Sequence, residues 1–220
     1  PVGPRGATRR EGGDALASSW PSHQLFGDIP APRNTKERIL FVAIDLFYTH
    51  GFHGVGLDQI LETAGLTKTT FYNHFESKDA LAQAAIALQD EWEATAFQRA
   101  LHEKAGYDPK ALLLAGFDVL DDWFNDPRYQ GCLFLMAMAD YPLPHHPVHR
   151  AAARHFTVSR EDLTKMATAA GAREPDALAS QLTQLLLAAT AALLGDREAS
   201  AARTARQIAE SILKSHLDSA

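Results

Sequence analysis

The placement of proline constrains this chain more than any other feature. No proline lies between Arg33 and Asp108, and those that follow, at positions 109, 127, 142, 144, 147 and 175, punctuate apolar stretches of helical length. Proline inside a helix removes a backbone donor and clashes with the preceding turn, so these intervals mark where unbroken helices fit. Strand-like alternation is absent, and Ala and Leu, both strong helix formers, dominate the second half. The pattern predicts an all-α chain of about nine helices. Residues 1–34, which hold five of the eleven prolines and five of the fourteen glycines, read as a flexible tail.

Local signals set the boundaries of the first helices. One is predicted over 35–50: Asn34 caps it, Glu37 completes a capping box, and Ile39, Leu40, Ala43, Ile44 and Phe47 share one apolar face before Gly51 stops it. A second, over 57–64, buries Leu57, Ile60 and Leu61 and ends at Gly65. Thr67 caps a third over 68–75, in which Phe71 and Phe75, four apart, face inward together. Ser77 caps a fourth, striped by Leu81, Ala85, Leu88 and Trp92. Later helices are expected over 109–125, 129–140, 148–170, 175–194 and 199–217.

The chemistry sits on the third helix. Two short helices joined by Ala64-Gly65-Leu66-Thr67 form a candidate helix-turn-helix, with a longer helix before it to close a small core. Opposite Phe71 and Phe75 the third helix displays Thr67, Lys68, Thr69, Thr70, Tyr72, Asn73 and His74, all capable of donating hydrogen bonds and none acidic. Together with the positive end of the helix dipole, this face suits phosphates and base edges in a major groove wide enough for a helix.

The stretch Thr35-Lys36-Glu37-Arg38-Ile39-Leu40, Ala43, Leu46-Phe47, Gly51-Phe52, Ile60, Ala64 through Phe75, and Ser77-Lys78-Asp79-Ala80-Leu81 resembles the tetracycline-repressor (TetR) family of bacterial transcription regulators, in one unbroken register. The resemblance implies a DNA-binding domain over 35–80 and a ligand-binding and dimerisation domain over 81–220. It also implies that Lys68, Thr70, Tyr72 and His74 contact DNA, that Lys78 and Thr67 reach phosphates, and that Thr69 and Asn73 read bases. It further implies an effector pocket among helices four to eight and a homodimer built from the last two helices. Candidate pocket residues are Phe117, Trp123, Phe124, Phe134, Met138 and Tyr141, which core packing explains equally well. Candidate interface residues are Leu182, Leu186, Ala189, Leu193, Ala205, Ile208 and Ile212. One departure from the family pattern is Gly56, where a Ser or Thr usually opens the second helix and contributes a phosphate contact.

The implied function is a dimeric, ligand-responsive regulator, a repressor on a near-palindromic operator. Charge makes the dimer necessary. The chain has 21 basic and 27 acidic residues, a formal net charge of -6, and residues 31–80 are near neutral. Each neutralised phosphate contributes only roughly 0.9 to the logarithmic salt slope, so one head alone binds weakly. Arg5, Arg9 and Arg10 of the tail are candidate minor-groove contacts. An alternative is a helical metal- or small-molecule-binding protein centred on His145, His146, His149 and His155, without DNA binding, because imidazole suits zinc, copper and nickel. On the regulator reading His146→Ala leaves DNA binding unchanged.

No nucleophile with its base, no H-E-x-x-H, no glycine-rich phosphate loop and no facing carboxylate pair occurs, so neither an enzyme nor a cofactor is expected. Cys132, the single cysteine, lies in an apolar stretch and reads as a buried, unreactive thiol. The oily run 182–194 is shorter than the roughly 18 residues of a membrane span, and a cytoplasmic protein is expected.

Overall fold

The computed structural model describes residues 25–27, 29–196 and 200–217, and all regular structure among them is helical. Among the described residues nine helices follow one another: α1 (Thr35–His50), α2 (Leu57–Ala64), α3 (Lys68–Tyr72), α4 (Lys78–Ala105), α5 (Pro109–Phe124), α6 (Leu133–Asp140), α7 (Pro147–Ala169), α8 (Pro175–Asp196) and α9 (Ala201–Leu217). Most of the expected tail, with Arg5, Arg9 and Arg10, lies outside the described residues. Phe26, near its end, is buried and meets Trp123 edge-on with ring centroids 5.2 Å apart, so an aromatic contact pins this part of the chain to the body.

Side chains at the expected positions start α1, α3 and α4, and expected glycines stop α1 and α2. Asn34 Oδ1 accepts from the Glu37 N–H at 2.9 Å, and Glu37 Oε2 accepts from the Arg33 N–H at 2.7 Å. Gly65 closes α2 in the left-handed region (φ 64, ψ 42), where a side chain would be strained. Asp108 and Ser77 accept from the third residue after each of them, and Pro109 occupies a first-turn position that needs no donor. Two spans are shorter than expected. After Tyr72 the chain tightens into an i to i+3 hydrogen bond, His74 N–H to the Phe71 carbonyl at 2.8 Å, so Phe75 is reached by a turn. Gly131, at φ 119, breaks the backbone before α6, which begins at Leu133 and not at residue 129.

The buried side chains form two cores joined by α4. The first holds Ile39, Ile44, Phe47, Phe52, Ile60, Phe71 and Leu81, with Phe47 and Phe52 stacked at 4.4 Å. Leu133, Phe134 and Ala137 of α6 and Val148 and Ala152 of α7 belong to the same core, which therefore crosses the boundary expected at residue 80. The second core gathers Leu101, Leu113, Phe117, Leu178, Leu182, Ala202 and Ala209. At 28 residues α4 is a continuous strut with its first turns in one core and its last in the other.

The packing of α8 and α9 corrects the expected interface. Both helices lie against α5 or α7 of their own chain, so Leu182, Ala189, Leu193 and Ala205 are buried within the protomer. Leu186 and Ile212 are half-buried, and Ile208 alone of the seven is exposed, at 48%. The outward faces instead carry Ala188, Ala191 and Leu194 on α8 and Thr204, Ile208 and Ser211 on α9. By length and composition Pro175–Gly195 is long and apolar enough to cross a bilayer, because Ala177, Leu178 and Ala179 extend the oily run. In the fold Leu178, Leu182, Ala189 and Leu193 of this span pack into the second core.

Two outcomes follow. Phe71→Ala should cost about 3–5 kcal/mol in chemical denaturation, because Phe71 is fully buried and its removal leaves a void under α3. Burial, with Glu93 contributing, pushes the Cys132 thiol up to about 12; native protein at pH 8 should resist iodoacetamide, and denatured protein should take up one equivalent by mass spectrometry.

Candidate nucleic-acid interface and the cavity behind it

The outer face of α3 is assembled by its own cap. Thr67 Oγ1 accepts from the Thr70 N–H at 3.2 Å, and the two hydroxyls lie 3.0 Å apart. With Phe71 and Phe75 buried beneath, Thr67, Lys68, Thr69, Tyr72, Asn73 and His74 are exposed, and Thr70 and Lys78 are half-buried. Tyr72, at 56% exposure, leans edge-on against Phe71. Of the eight sequence-predicted residues six are therefore exposed and two half-buried. Lys36 Nζ sits 5.7 Å from the centre of the Phe75 ring, a cation held over an aromatic face.

Electrostatics adds a partner that the sequence reading lacked. Lys68 Nζ lies 2.9 Å from Asp58 Oδ1 of α2, and this hydrogen bond raises the lysine above its ordinary range. Both groups are exposed, so the pair adds little stability but orients Lys68 and offsets its charge. Desolvation lowers Lys78, against the opposing pull of Asp79 and Asp140. At Gly56 the backbone is extended (φ -82, ψ 153), no side chain caps α2, and a Cβ would meet nothing within 4 Å.

Behind the head lies a junction of aromatic and histidine side chains. Asp140 Oδ2 accepts from the Phe52 N–H at 2.6 Å and the His53 N–H at 3.3 Å, tying the end of α6 to the turn after α1. Tyr141 donates its hydroxyl to Asp79 Oδ1 at 3.1 Å, and its ring stacks on His146 with centroids 4.6 Å apart. His146 Nε2 lies 3.4 Å from Asp79 Oδ2. His146 therefore touches the first turn of α4 beside Lys78. His149 Nδ1 lies 2.7 Å from the Tyr141 carbonyl, His155 Nδ1 lies 2.7 Å from Asp90 Oδ1, and His145 is exposed. His146, His149 and His155 take different partners, and among the described residues no three His, Cys, Asp or Glu side chains converge as a metal site would require. The metal-centred alternative has no geometric support.

A cavity of about 190 Å³ opens between α4, α5, α7 and α8. Of the six expected pocket residues Trp123 lines it. Phe117 and Phe124 are core, Phe134 stacks face to face on His155 at 3.8 Å, Met138 packs against the first core, and Tyr141 belongs to the junction. Selecting by residue type missed the periodicity. On α5 the cavity wall is Leu112, Leu113, Gly116, Leu120 and Trp123, one helical stripe, and the mid-helix Gly116 was the available signal: a Cβ there would come within 3.4 Å of Phe97. Glu93 lines the cavity from α4, and Gln89, fully buried one turn earlier, donates from Nε2 to Glu93 Oε2 (3.4 Å) and to the Tyr48 hydroxyl of α1 (3.1 Å). A polar thread therefore runs from the cavity wall to the head.

Comparison with known proteins agrees with this geometry. Residues 39–85 match the family model of bacterial regulatory proteins of the tetR family. The chain is 26% identical over 180 residues to the HTH-type transcriptional regulator YjdC of Escherichia coli, covering 81% of this chain and 93% of that protein. It is 45% identical over 58 residues to the HTH-type transcriptional regulator RutR of the same species, 26% of this chain and 27% of that one. A crystal structure of a TetR-family transcriptional regulator from Streptomyces coelicolor superposes with a TM-score of 0.73 at 29% identity, covering 84% of this chain and 96% of the other. The exposed, cap-stabilised α3 of a helix-turn-helix, set on an all-helical body similar to that of the Streptomyces coelicolor regulator, places the chain in the TetR family of DNA-binding transcription regulators.

Proposed function

We propose that the chain is a cytoplasmic repressor that binds a near-palindromic operator as a homodimer and leaves it when a small molecule fills the cavity. One observation carries the reading: the non-acidic face of α3 is exposed at one end of α4, and the cavity lies against the other part of the same helix. Lys68, Thr70, Tyr72 and His74 hold the sugar-phosphate backbone, Thr69 and Asn73 face base edges, and Thr67 and Lys78 take phosphates at the two helix starts. The head, over 35–80, is nearly neutral, so affinity comes from two heads presented roughly 34 Å apart on successive major grooves. The outward stripe Ala188, Ala191, Leu194, Thr204, Ile208 and Ser211 supports dimerisation through α8 and α9 of the body, over 81–220, because small side chains let helices approach closely.

Release follows from shared structure. A ligand wedged against α4 shifts a strut whose first turn carries Lys78 and is held by Tyr141 and His146 through Asp79. Ligand and operator are then reciprocal antagonists with a coupling of about 1–3 kcal/mol.

Selection of bound fragments from random DNA should return a two-fold symmetric site. On that site Tyr72→Phe and Lys68→Ala should each weaken binding, and Lys68→Ala should lower the salt slope by roughly 0.9 per subunit; unchanged affinity in both variants overturns the assignment of α3. Gly56→Ser has open space and an allowed backbone. It should tighten operator binding about fivefold in fluorescence anisotropy, the worth of roughly 1 kcal/mol for one added hydrogen bond.

A further inference from the structure

The polar groups of the cavity wall are unevenly matched. No Lys or Arg lines it among the described residues, whereas Asp90, Glu93 and Asp162 do. Two of these acids have partners of complementary character: His155 Nδ1 lies 2.7 Å from Asp90, and Lys165 Nζ lies 2.7 Å from Asp162. Glu93 receives only the neutral amide of Gln89, at 3.4 Å. Gln89 is itself fully buried, and its Oε1 has no hydrogen-bond partner, so an unmatched acceptor stands directly behind Glu93.

An ionised carboxylate facing a low-dielectric space is unfavourable until a positive charge joins it. Burial accordingly pushes the Glu93 carboxyl above the ordinary range, with His155 and Gln89 opposing and Asp90 reinforcing the shift. The rest of the wall is apolar and aromatic, with Phe97, Trp123, Tyr129 and Phe156 around the space. Aromatic faces attract cations as well as apolar groups. An anion would meet three carboxylates, and a neutral apolar body would leave Glu93 unanswered.

Resting on the effector reading above, we propose that the cavity takes a lipophilic organic cation, its charge set against Glu93 and its body among Phe97, Trp123, Tyr129 and Phe156. The same contact engages the Gln89–Tyr48 thread, because the oxygen that receives Gln89 is on the carboxylate that the cation approaches.

Three probes of one shape test the charge requirement: 1-methyl-4-phenylpyridinium, its uncharged counterpart 4-methylbiphenyl, and the anion 4-phenylbenzoate. Calorimetric titration of the full chain should show the cation binding about tenfold or more tighter than the neutral probe, as expected of one desolvated charge contact, and the anion weakest. Glu93→Gln keeps size and the oxygen that accepts from Gln89; it should abolish the preference and leave 4-methylbiphenyl unaffected. Glu93→Asp, which keeps the charge, should retain the preference, as should Asp122→Asn on the outer surface, where Lys104 is its partner. Equal binding of cation and neutral probe, no binding of any probe, or a preference that survives Glu93→Gln overturns the assignment. Operator affinity, followed separately by anisotropy, keeps the two readings apart. If the cation binds through Glu93 without changing operator affinity, the effector reading falls and the cation site stands. If all three probes release DNA alike, the effector reading stands and the cation assignment falls.

Discussion

The insertion of Phe71 into the first core is the contact on which the functional surface depends. Five residues of helix are far too few to persist alone, since a nucleus must be formed before propagation yields anything. The α3 backbone exists because Thr67 ties its first turn and Phe71 fastens it to Phe47, Phe52 and Ile60. Thr67, Lys68, Thr69, Tyr72, Asn73 and His74 are exposed, and Thr70 is half-buried, as a geometric consequence. The hydrophobic effect here fixes orientation as much as stability: turning the face away would require pulling a fully buried aromatic ring into water.

That core is not self-contained. It borrows α6 and the start of α7, and it shares α4 with the second core, so the head is held at three places by the body. Asp79, Asp140 and Tyr141 make the polar part of this joint, and Gln89 adds a buried amide between α1 and the cavity. Displacement of α4 cannot be absorbed locally, because packed interiors are close to incompressible and transmit strain. This is the physical basis for regarding cavity and α3 as two ends of one mechanical element.

What the sequence made legible follows the range of the forces involved. Caps and stops at Asn34, Thr67, Gly65 and Ser77 act within four residues, and their helix starts were readable directly. The inward pair Phe71 and Phe75, and the seven residues displayed opposite between Thr67 and His74, needed only a helical period. The cavity wall did not follow from composition, because Phe117 and Phe134 are as aromatic as Trp123 and differ only in which neighbouring helix they meet. The outward face of α8 was concealed for a related reason: Leu182, Ala189 and Leu193 are the conspicuous apolar residues, and the chain uses them on itself. The histidines clustered in sequence proved to diverge in space, serving Asp79, the Tyr141 carbonyl and Asp90.

The ion pair between Asp58 and Lys68 bears on how such a protein spends its time in a cell. A chromosome offers on the order of a million or more irrelevant stretches, and diffuse positive charge makes a protein linger on all of them. A lysine already occupied by an internal carboxylate is a poor adhesive for arbitrary duplex. At the proposed interface it is surrendered only where neighbouring contacts compensate for breaking the pair, so the internal acid trades raw stickiness for a smaller population stranded at the wrong addresses.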